Sequence, residues 1–480
     1  MGLERRHGTM VHANKAYLFW TLVFGALFLY SLVLLIRGAL IPRRKFQYRV
    51  PPWTLILFWS LACVFGLFIH PSHEFVGYVR RMGRLSIACA VVGIFLSFKP
   101  AVLPRTYSVP LTQIHKWVGR TAVFFAFLHG LLYSCVYLKR GVFGRLFRPA
   151  NLAGIFACFT FCVIALTSLK PIRRRAYSVF YAIHVVSVWM ALLAIFYHAD
   201  PNAYAMVYLA MVFLIIQITV RVLLTRTVPV KVKHISSNLD LVTVDRSALP
   251  ETFEIGSHLR LSLPLHLPKS WLVPSHPYTI ASLPEDDAIH LVVRRTRFEL
   301  QNQEYAIQGP HHAPFDVSEF KRIIVVAGGS GFALIPPVSR RAKQLGIDVK
   351  SVWIVKTDAE TSVLNHIPVD DCEIFITTES NYNAEDTAAG TYGDEFELDD
   401  LRASDREGLL DSSNPSKPKE GIKKYFQGRP NLDEFIGDFF NPSQAAETCV
   451  AACGPESLTK DARRWAKAHN CSFFAETFAM

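Results

Sequence analysis

Charged side chains are scarce in this chain, 19% of 480 residues, and apolar ones stand in their place: 51% are hydrophobic and 35 are Phe. With a mean hydropathy of +0.24, that balance excludes an ordinary soluble globular protein and favours a membrane protein. Paired cysteine is missing too. The nine cysteines, Cys63, Cys89, Cys135, Cys158, Cys162, Cys372, Cys449, Cys453 and Cys471, include no CxxC and no even-spaced cluster, which argues against a disulfide framework and against a zinc site. The net charge of +12 comes without an aromatic-interleaved basic patch, so nucleic acid is not an expected partner. No internal repeat is visible. Arg5 and Arg6 precede a long apolar run without a small-residue cleavage site, which reads as a retained helix rather than a cleaved signal.

What is present is a set of apolar runs near 16–36, 53–70, 83–98, 115–137, 150–168, 179–198 and 204–224, each of roughly the length that crosses a bilayer as a helix, the third being short. After Arg226 these give way to short β-rich stretches such as VPVKVKHI, HLRLSLPL and AIHLVVRR, so the chain divides into a membrane half and a soluble half. An acidic run at about 380–425 lacks apolar periodicity and reads as a disordered insertion. With seven spans and the soluble half in the cytosol, the inner loops hold twelve Lys and Arg against seven in the outer loops, a bias in the expected direction.

Two histidines, His115 and His129, lie fourteen residues apart in the apolar stretch HKWVGRTAVFFAFLHG, and His184 and His198 repeat that spacing on a second run. Fourteen steps of about 100° return to within roughly 40° of the starting direction, and span about 21 Å along the axis. Each pair therefore points from one helix face, and on parallel helices His115 stands level with His184 and His129 with His198. Two histidine–iron–histidine sandwiches stacked across a bilayer of about 30 Å need this arrangement. A lone histidine in a span commonly bonds a neighbouring helix instead, but two pairs of identical spacing favour ligation. His70 and His73 read as ordinary loop residues.

In the soluble half, WLVPSHPYTIAS (271–282) offers a short loop in which Tyr278 and Thr279, with Ser282 nearby, lie beside a β-barrel wall and could meet a flavin; a plain strand end is the competing reading. The stretch KRIIVVAGGSGFALIPPV (321–338) reads as a buried strand, then Gly328, Gly329, Ser330 and Gly331, then a helix. That order suits a pyrophosphate at a helix N-terminus, the glycines allowing close backbone approach. Lys356 ends the next strand, VKSVWIVK, where it could meet a 2′-phosphate or simply stand in solvent. A further strand ends in Cys453, Gly454 and Pro455, a position that lines the crevice of a doubly wound sheet.

Together the paired histidines, HPYTIAS, AGGSGF, CGPES and the terminal FFAETFAM resemble the ferric reductase and NADPH oxidase superfamily, in its compact fungal probable-metalloreductase branch. The resemblance implies a multi-pass α-helical, haem-binding membrane domain (1–225) of about seven spans, followed by a ferredoxin-reductase-like β-barrel FAD domain (229–316). An α/β Rossmann-like NADPH domain (320–480) follows, carrying the acidic insertion. It implies His115 with His184 and His129 with His198 as ligands of two b-type haems, and His276, Pro277, Tyr278, Thr279 and Ser282 around FAD. By the same resemblance, Gly328 to Gly331 with Cys453 to Pro455 are expected around NADPH, and Phe478, with Glu476 in the terminal AETF, in the segment near the flavin ring. The chain departs from the family's usual pattern in VVRRTRFELQNQ, which lacks a glycine, in Gly309-Pro310-His311-His312, and in FALIPP; Arg294 and Arg295 remain as the basic pair for the flavin phosphates.

The implied activity is transfer of electrons from NADPH through FAD and two haems to ferric or cupric ion, in iron or copper homeostasis, with no catalytic acid, base or nucleophile. Two alternatives stay open: an NADPH oxidase that reduces oxygen to superoxide, and a non-enzymatic membrane cytochrome whose nucleotide domain has decayed. The plasma membrane and the endoplasmic reticulum are equally compatible, with the nucleotide domain cytosolic, and homo-oligomerisation stays open.

Overall fold

The computed structural model describes residues 52–68, 74–98, 111–199, 201–295, 299–311, 315–369, 371–377, 425–437 and 439–476. The apolar run at 16–36, His70, His73, His312, most of the acidic run and Phe478 lie outside the described residues. The chain separates into two compact units, Met1–Leu223 and Leu224–Met480.

Six long helices make up the described part of the first unit: α1 (Pro52–Phe68), α2 (Phe75–Leu96), α3 (Leu111–Lys139), α4 (Pro149–Thr167), α5 (Tyr177–His198) and α6 (Tyr204–Leu223). Pro149 opens α4, at a position where a missing N–H costs nothing. Helices over Gln113–Lys139, Pro149–Thr167, Tyr177–His198 and Tyr204–Leu223 are long and apolar enough to cross a bilayer. The third expected run, 83–98, belongs to a helix that begins earlier, at Phe75, and takes in Arg80, Arg81 and Arg84. Partners allow it: Arg81 donates to the Leu67 carbonyl at the end of α1 (2.9 Å), where helix carbonyls lack intrahelical donors, and Arg80 donates to the Tyr133 hydroxyl (3.1 Å).

A small apolar core, including Val79, Val91, Val118, Leu192 and Val207, holds this bundle. Its outer surface is apolar as well: among the described residues, the exposed large hydrophobic side chains lie at or before Leu223 except for Leu224, Leu267, Leu272 and Leu345. Water would penalise such a surface and lipid does not, so this unit is a membrane domain.

In the second unit, β1 (Thr225–His234), β2 (Leu239–Asp245), β3 (His258–Ser262), β4 (His276–Thr279), β5 (Ala288–Arg294) and β6 (Gln303–His311) form an antiparallel sheet in the order β4-β3-β6-β1-β2-β5. Just past β4 the two edges meet. Ile280 bridges Leu291, the Ala281 N–H donates to the His290 carbonyl (2.8 Å), and the His290 N–H donates to the Ser282 hydroxyl (2.8 Å). The sheet thereby closes into a barrel around Val242, Leu259, Leu261, Ile289 and Tyr305.

The second sheet is parallel, with β7 (Arg322–Gly328), β8 (Asp348–Val355), β9 (Cys372–Ile376), β10 (Tyr425–Gln427), β11 (Thr448–Cys453) and β12 (Ser472–Glu476) ordered β10-β9-β8-β7-β11-β12. From β7 the chain builds outward on one side through β8 to β10, then returns to place β11 on the other. That reversal is a topological switch point, and the crevice beyond the C-terminal ends of β7 and β11 is where such sheets bind ligands. Helices α7 (Ile335–Gln344) and α8 (Glu456–Ala468) follow those two strands.

Replacing Ser282 with Ala leaves the His290 N–H without its partner at the barrel seam. Denaturant unfolding of the purified protein, read by release of flavin fluorescence, should show a loss of about 1–3 kcal/mol; an unchanged midpoint would mean that the seam does not depend on this hydroxyl.

Candidate functional site

In the membrane unit, the structure brings the four sequence-predicted histidines together as two pairs. The ring centroids of His115 and His184 are 6.2 Å apart, and those of His129 and His198 are also 6.2 Å apart. Metal–imidazole bonds of about 2 Å, one on each side of an iron, put ring centroids about 6 Å apart, so both pairs fit one metal between them.

Three of the rings are fixed from behind. His115 Nδ1 bonds the Gly93 carbonyl (2.9 Å), His129 Nδ1 the Val79 carbonyl (2.7 Å) and His198 Nδ1 the Ala150 carbonyl (2.8 Å). A carbonyl only accepts, so each Nδ1 carries the proton and Nε2 keeps the lone pair a metal requires. Glycines make room for this. A Cβ at Gly83 would stand 2.9 Å from the His129 ring and one at Gly154 would stand 2.6 Å from the His198 ring, and both glycines lie one helical turn beyond the carbonyl that their histidine reaches. The backbone acceptors have no residue-type signature, but Gly83 and Gly154 in otherwise bulky helices were the available sign.

In the soluble unit, His276 to Thr279 form an edge strand of the barrel where a loop was expected. Cross-strand pairing with β3 holds them: Leu259 faces Tyr278 and His258 faces Thr279. Arg260, which sequence reasoning passed over, braces the approach to this strand through the Ser275 hydroxyl (2.9 Å) and carbonyl (2.7 Å). Burial, reinforced by the Arg260 guanidinium, holds His276 down at about 4, so it is neutral at physiological pH. Ser282 is buried in the barrel seam. Arg294 is exposed at the end of β5, while Arg295 lies 3.7 Å from buried Asp240 and 3.6 Å from Glu299.

The glycine turn after β7 divides its labour. A Cβ at Gly331 would fall 2.2 Å from the Cys453 carbonyl oxygen, and one at Gly328 would fall 2.9 Å from Pro455; both glycines therefore let the turn after β7 pack against the turn after β11. Gly454, at φ +153°, completes that approach. Gly329 is different: at φ +52° it faces open space, its carbonyl held by the indole N–H of Trp353 (2.9 Å). Gly329 and Ser330 are the half-buried members of the turn. Lys356 is exposed just past β8, its N–H on Glu360 (3.3 Å).

Parallel pairing of β11 with β12 sets Cys453 beside Glu476, and Thr279 of the barrel reaches the same spot. Glu476 is buried, and among the described residues neither carboxylate oxygen has a partner at hydrogen-bond geometry. Burial therefore pushes its carboxyl up to about 8, against a weaker opposing influence of the Thr279 hydroxyl, and burial first, then Glu476, pushes the Cys453 thiol well up. At neutral pH the crevice holds an uncharged acid beside an uncharged thiol.

Three sequence-family models match in succession: a ferric reductase like transmembrane component over 82–195, an FAD-binding domain over 224–325 and a ferric reductase NAD binding domain over 320–467. A probable metalloreductase AIM14 of Yarrowia lipolytica is 32% identical over the whole of both chains. The chain belongs to this metalloreductase family. The namesake of Clavispora lusitaniae is 29% identical over 99% of this chain and 98% of its own. Among solved structures, a ferredoxin reductase in carbazole 1,9a-dioxygenase aligns at 12% identity and a TM-score of 0.35 over 53% of this chain and 70% of that one. This family member is a membrane-bound oxidoreductase with FAD-binding and nicotinamide-nucleotide-binding domains.

Because its folded-state value is raised, Glu476 costs nothing at pH below its ordinary value of 4.5, and its cost grows as pH rises through about 8. The unfolding free energy of the metalloreductase, measured by denaturant titration, should therefore fall between pH 5 and 8.5 more than that of Glu476→Gln, by at most about 5 kcal/mol; parallel pH profiles would contradict the buried neutral acid.

Proposed function

We propose that this chain is a transmembrane NADPH-dependent metalloreductase that takes electrons from NADPH on the cytosolic side and delivers them to ferric or cupric ion beyond the opposite face. The observation that carries this reading is the pair of histidine pairs, each with the same 6.2 Å separation of rings. The name printed for the relatives, probable metalloreductase, supports a metal ion as acceptor. When bound, FAD and two b-type haems supply the conversion of a hydride's electron pair into single electrons.

The chain's own residues bind and orient. His115 with His184, and His129 with His198, would hold the two haems, whose chemistry when bound is the passing of single electrons. His276, Pro277, Tyr278 and Thr279 line the flavin side of the barrel, and Arg294 meets phosphate. Gly329 and Ser330 approach the nucleotide pyrophosphate near the following helix, and Lys356 favours the 2′-phosphate of NADPH. Cys453, Gly454 and Pro455 wall the same crevice, and Glu476, uncharged at neutral pH, adds no negative charge there.

Changing His129 to Ala removes one ligand of the His129/His198 pair, which with a cytosolic soluble half is the outer one. Reduced-minus-oxidised absorption spectra should show about half the haem content, and reduction of a ferric chelate should fall to background, while NADPH still bleaches the flavin. Full haem content in the variant would contradict the assignment of the outer pair.

A further inference from the structure

The membrane unit repeats one device on two antiparallel helix hairpins, α2–α3 and α4–α5. On the first hairpin the carbonyls of Val79 and Gly93, fourteen residues apart, serve His129 and His115, fourteen apart in the opposite direction. On the second, Ala150 serves His198, and the same fourteen-residue register carried along α4 makes Ile164 the counterpart of Gly93, the carbonyl that would serve His184. That fourth bond is not made. His184 Nδ1 is buried and has no hydrogen-bond partner among the described residues.

The Ile164 carbonyl is occupied. It accepts from the Ser168 N–H (3.0 Å), the Ser168 hydroxyl (2.6 Å) and, at 3.3 Å, the Thr167 hydroxyl. The first hairpin shows the other outcome. Ser97, four residues after Gly93 as Ser168 is four after Ile164, turns both its N–H (3.1 Å) and its hydroxyl (2.7 Å) to the Ile94 carbonyl instead. Gln217 of α6 holds it there, donating to the Ser97 hydroxyl and to the Ile94 carbonyl, both at 2.8 Å. The Gly93 carbonyl is thereby left for His115.

We propose that Ser168 is a positioning residue that withholds the Ile164 carbonyl from His184 and so makes the two histidine pairs chemically unequal. The inference rests on the reading that the four histidines hold haem. A ligating imidazole whose second N–H is hydrogen-bonded is a stronger electron donor, because the bond raises its basicity. The outer pair has two such imidazoles; the inner pair has one, His115, and the ring of His184 has no backbone tether. Weaker donation favours the reduced metal, so the missing bond raises the midpoint potential of the inner centre relative to the same centre with the bond made.

The test is potentiometric titration of the purified, haem-loaded full-length protein, followed at its visible absorption bands, with the haem-to-protein ratio measured in parallel. In Ser168→Ala, and in the double variant that adds Thr167→Val and so removes both competing hydroxyls, one of two midpoint potentials should shift downward. The other should stay in place, and haem content should not change. Ser168→Thr, which keeps the hydroxyl, should titrate as wild type. If Ser168→Ala and the double variant both titrate as wild type, or if the downward shift appears in Ser168→Thr as well, the inference is overturned. Loss of one haem from Ser168→Ala would also overturn it, since the hydroxyl would then be needed for assembly of the site. A wild-type protein that purifies without haem fails at an earlier point, by removing the ligand assignment itself.

Discussion

A histidine inside a helical bundle has two nitrogens to place, and the membrane unit is arranged around placing them differently. In His115, His129 and His198, Nδ1 goes to a backbone carbonyl of the neighbouring helix, which fixes the tautomer and the ring plane and leaves Nε2 free for a metal. The carbonyl can serve because it has a second lone pair after its own helical bond. It can be reached at Val79 and Ala150 only because Gly83 and Gly154 present no side chain where the imidazole must pass. The identical 6.2 Å separations in the two pairs follow from helices held at this distance. Bulk at either glycine would displace a ring well before it damaged the apolar packing around it.

Close backbone approach governs the soluble unit as well. The parallel sheet brings the ends of β7 and β11 side by side, and the turns that follow touch because Gly328, Gly331 and Gly454 lack a Cβ. With those three occupied in packing, Gly329 remains as the member of the turn that opens to a ligand. Barrel closure adds the third wall: the seam at Ile280 to Ser282 holds the end of β4 so that Thr279 arrives beside Cys453 and Glu476. An acid and a thiol that are both kept neutral leave this crevice hospitable to a phosphate-bearing dinucleotide.

Much of this was legible in the sequence where it depends on periodicity. The fourteen-residue spacing of the histidines translates directly into a common helix face, and the strand–glycine–helix order of KRIIVVAGGSGFALIPPV corresponds to β7, the turn and α7. Less was legible where long-range register decides. HPYTIAS reads from sequence as a short loop or a plain strand end, and pairing with β3 makes it an edge strand, which tolerates Pro277. The start of α2 at Phe75 depends on partners for Arg80 and Arg81 that lie on other helices. The meeting of Thr279, Cys453 and Glu476 requires three strands from two sheets, and the carbonyls behind the histidines are backbone atoms that no motif records. The glycine turn was identified, but its division between packing and ligand approach is visible only in three dimensions.

The proposed route carries electrons from NADPH through this chain to a metal ion. The measurement that bears on it most directly is ferric-chelate reduction by the purified protein with NADPH under strict anaerobiosis. The account predicts undiminished reduction without oxygen and no effect of superoxide dismutase. Reduction that requires oxygen and disappears with superoxide dismutase would contradict it, and would make the chain an oxidase whose superoxide reduces the metal.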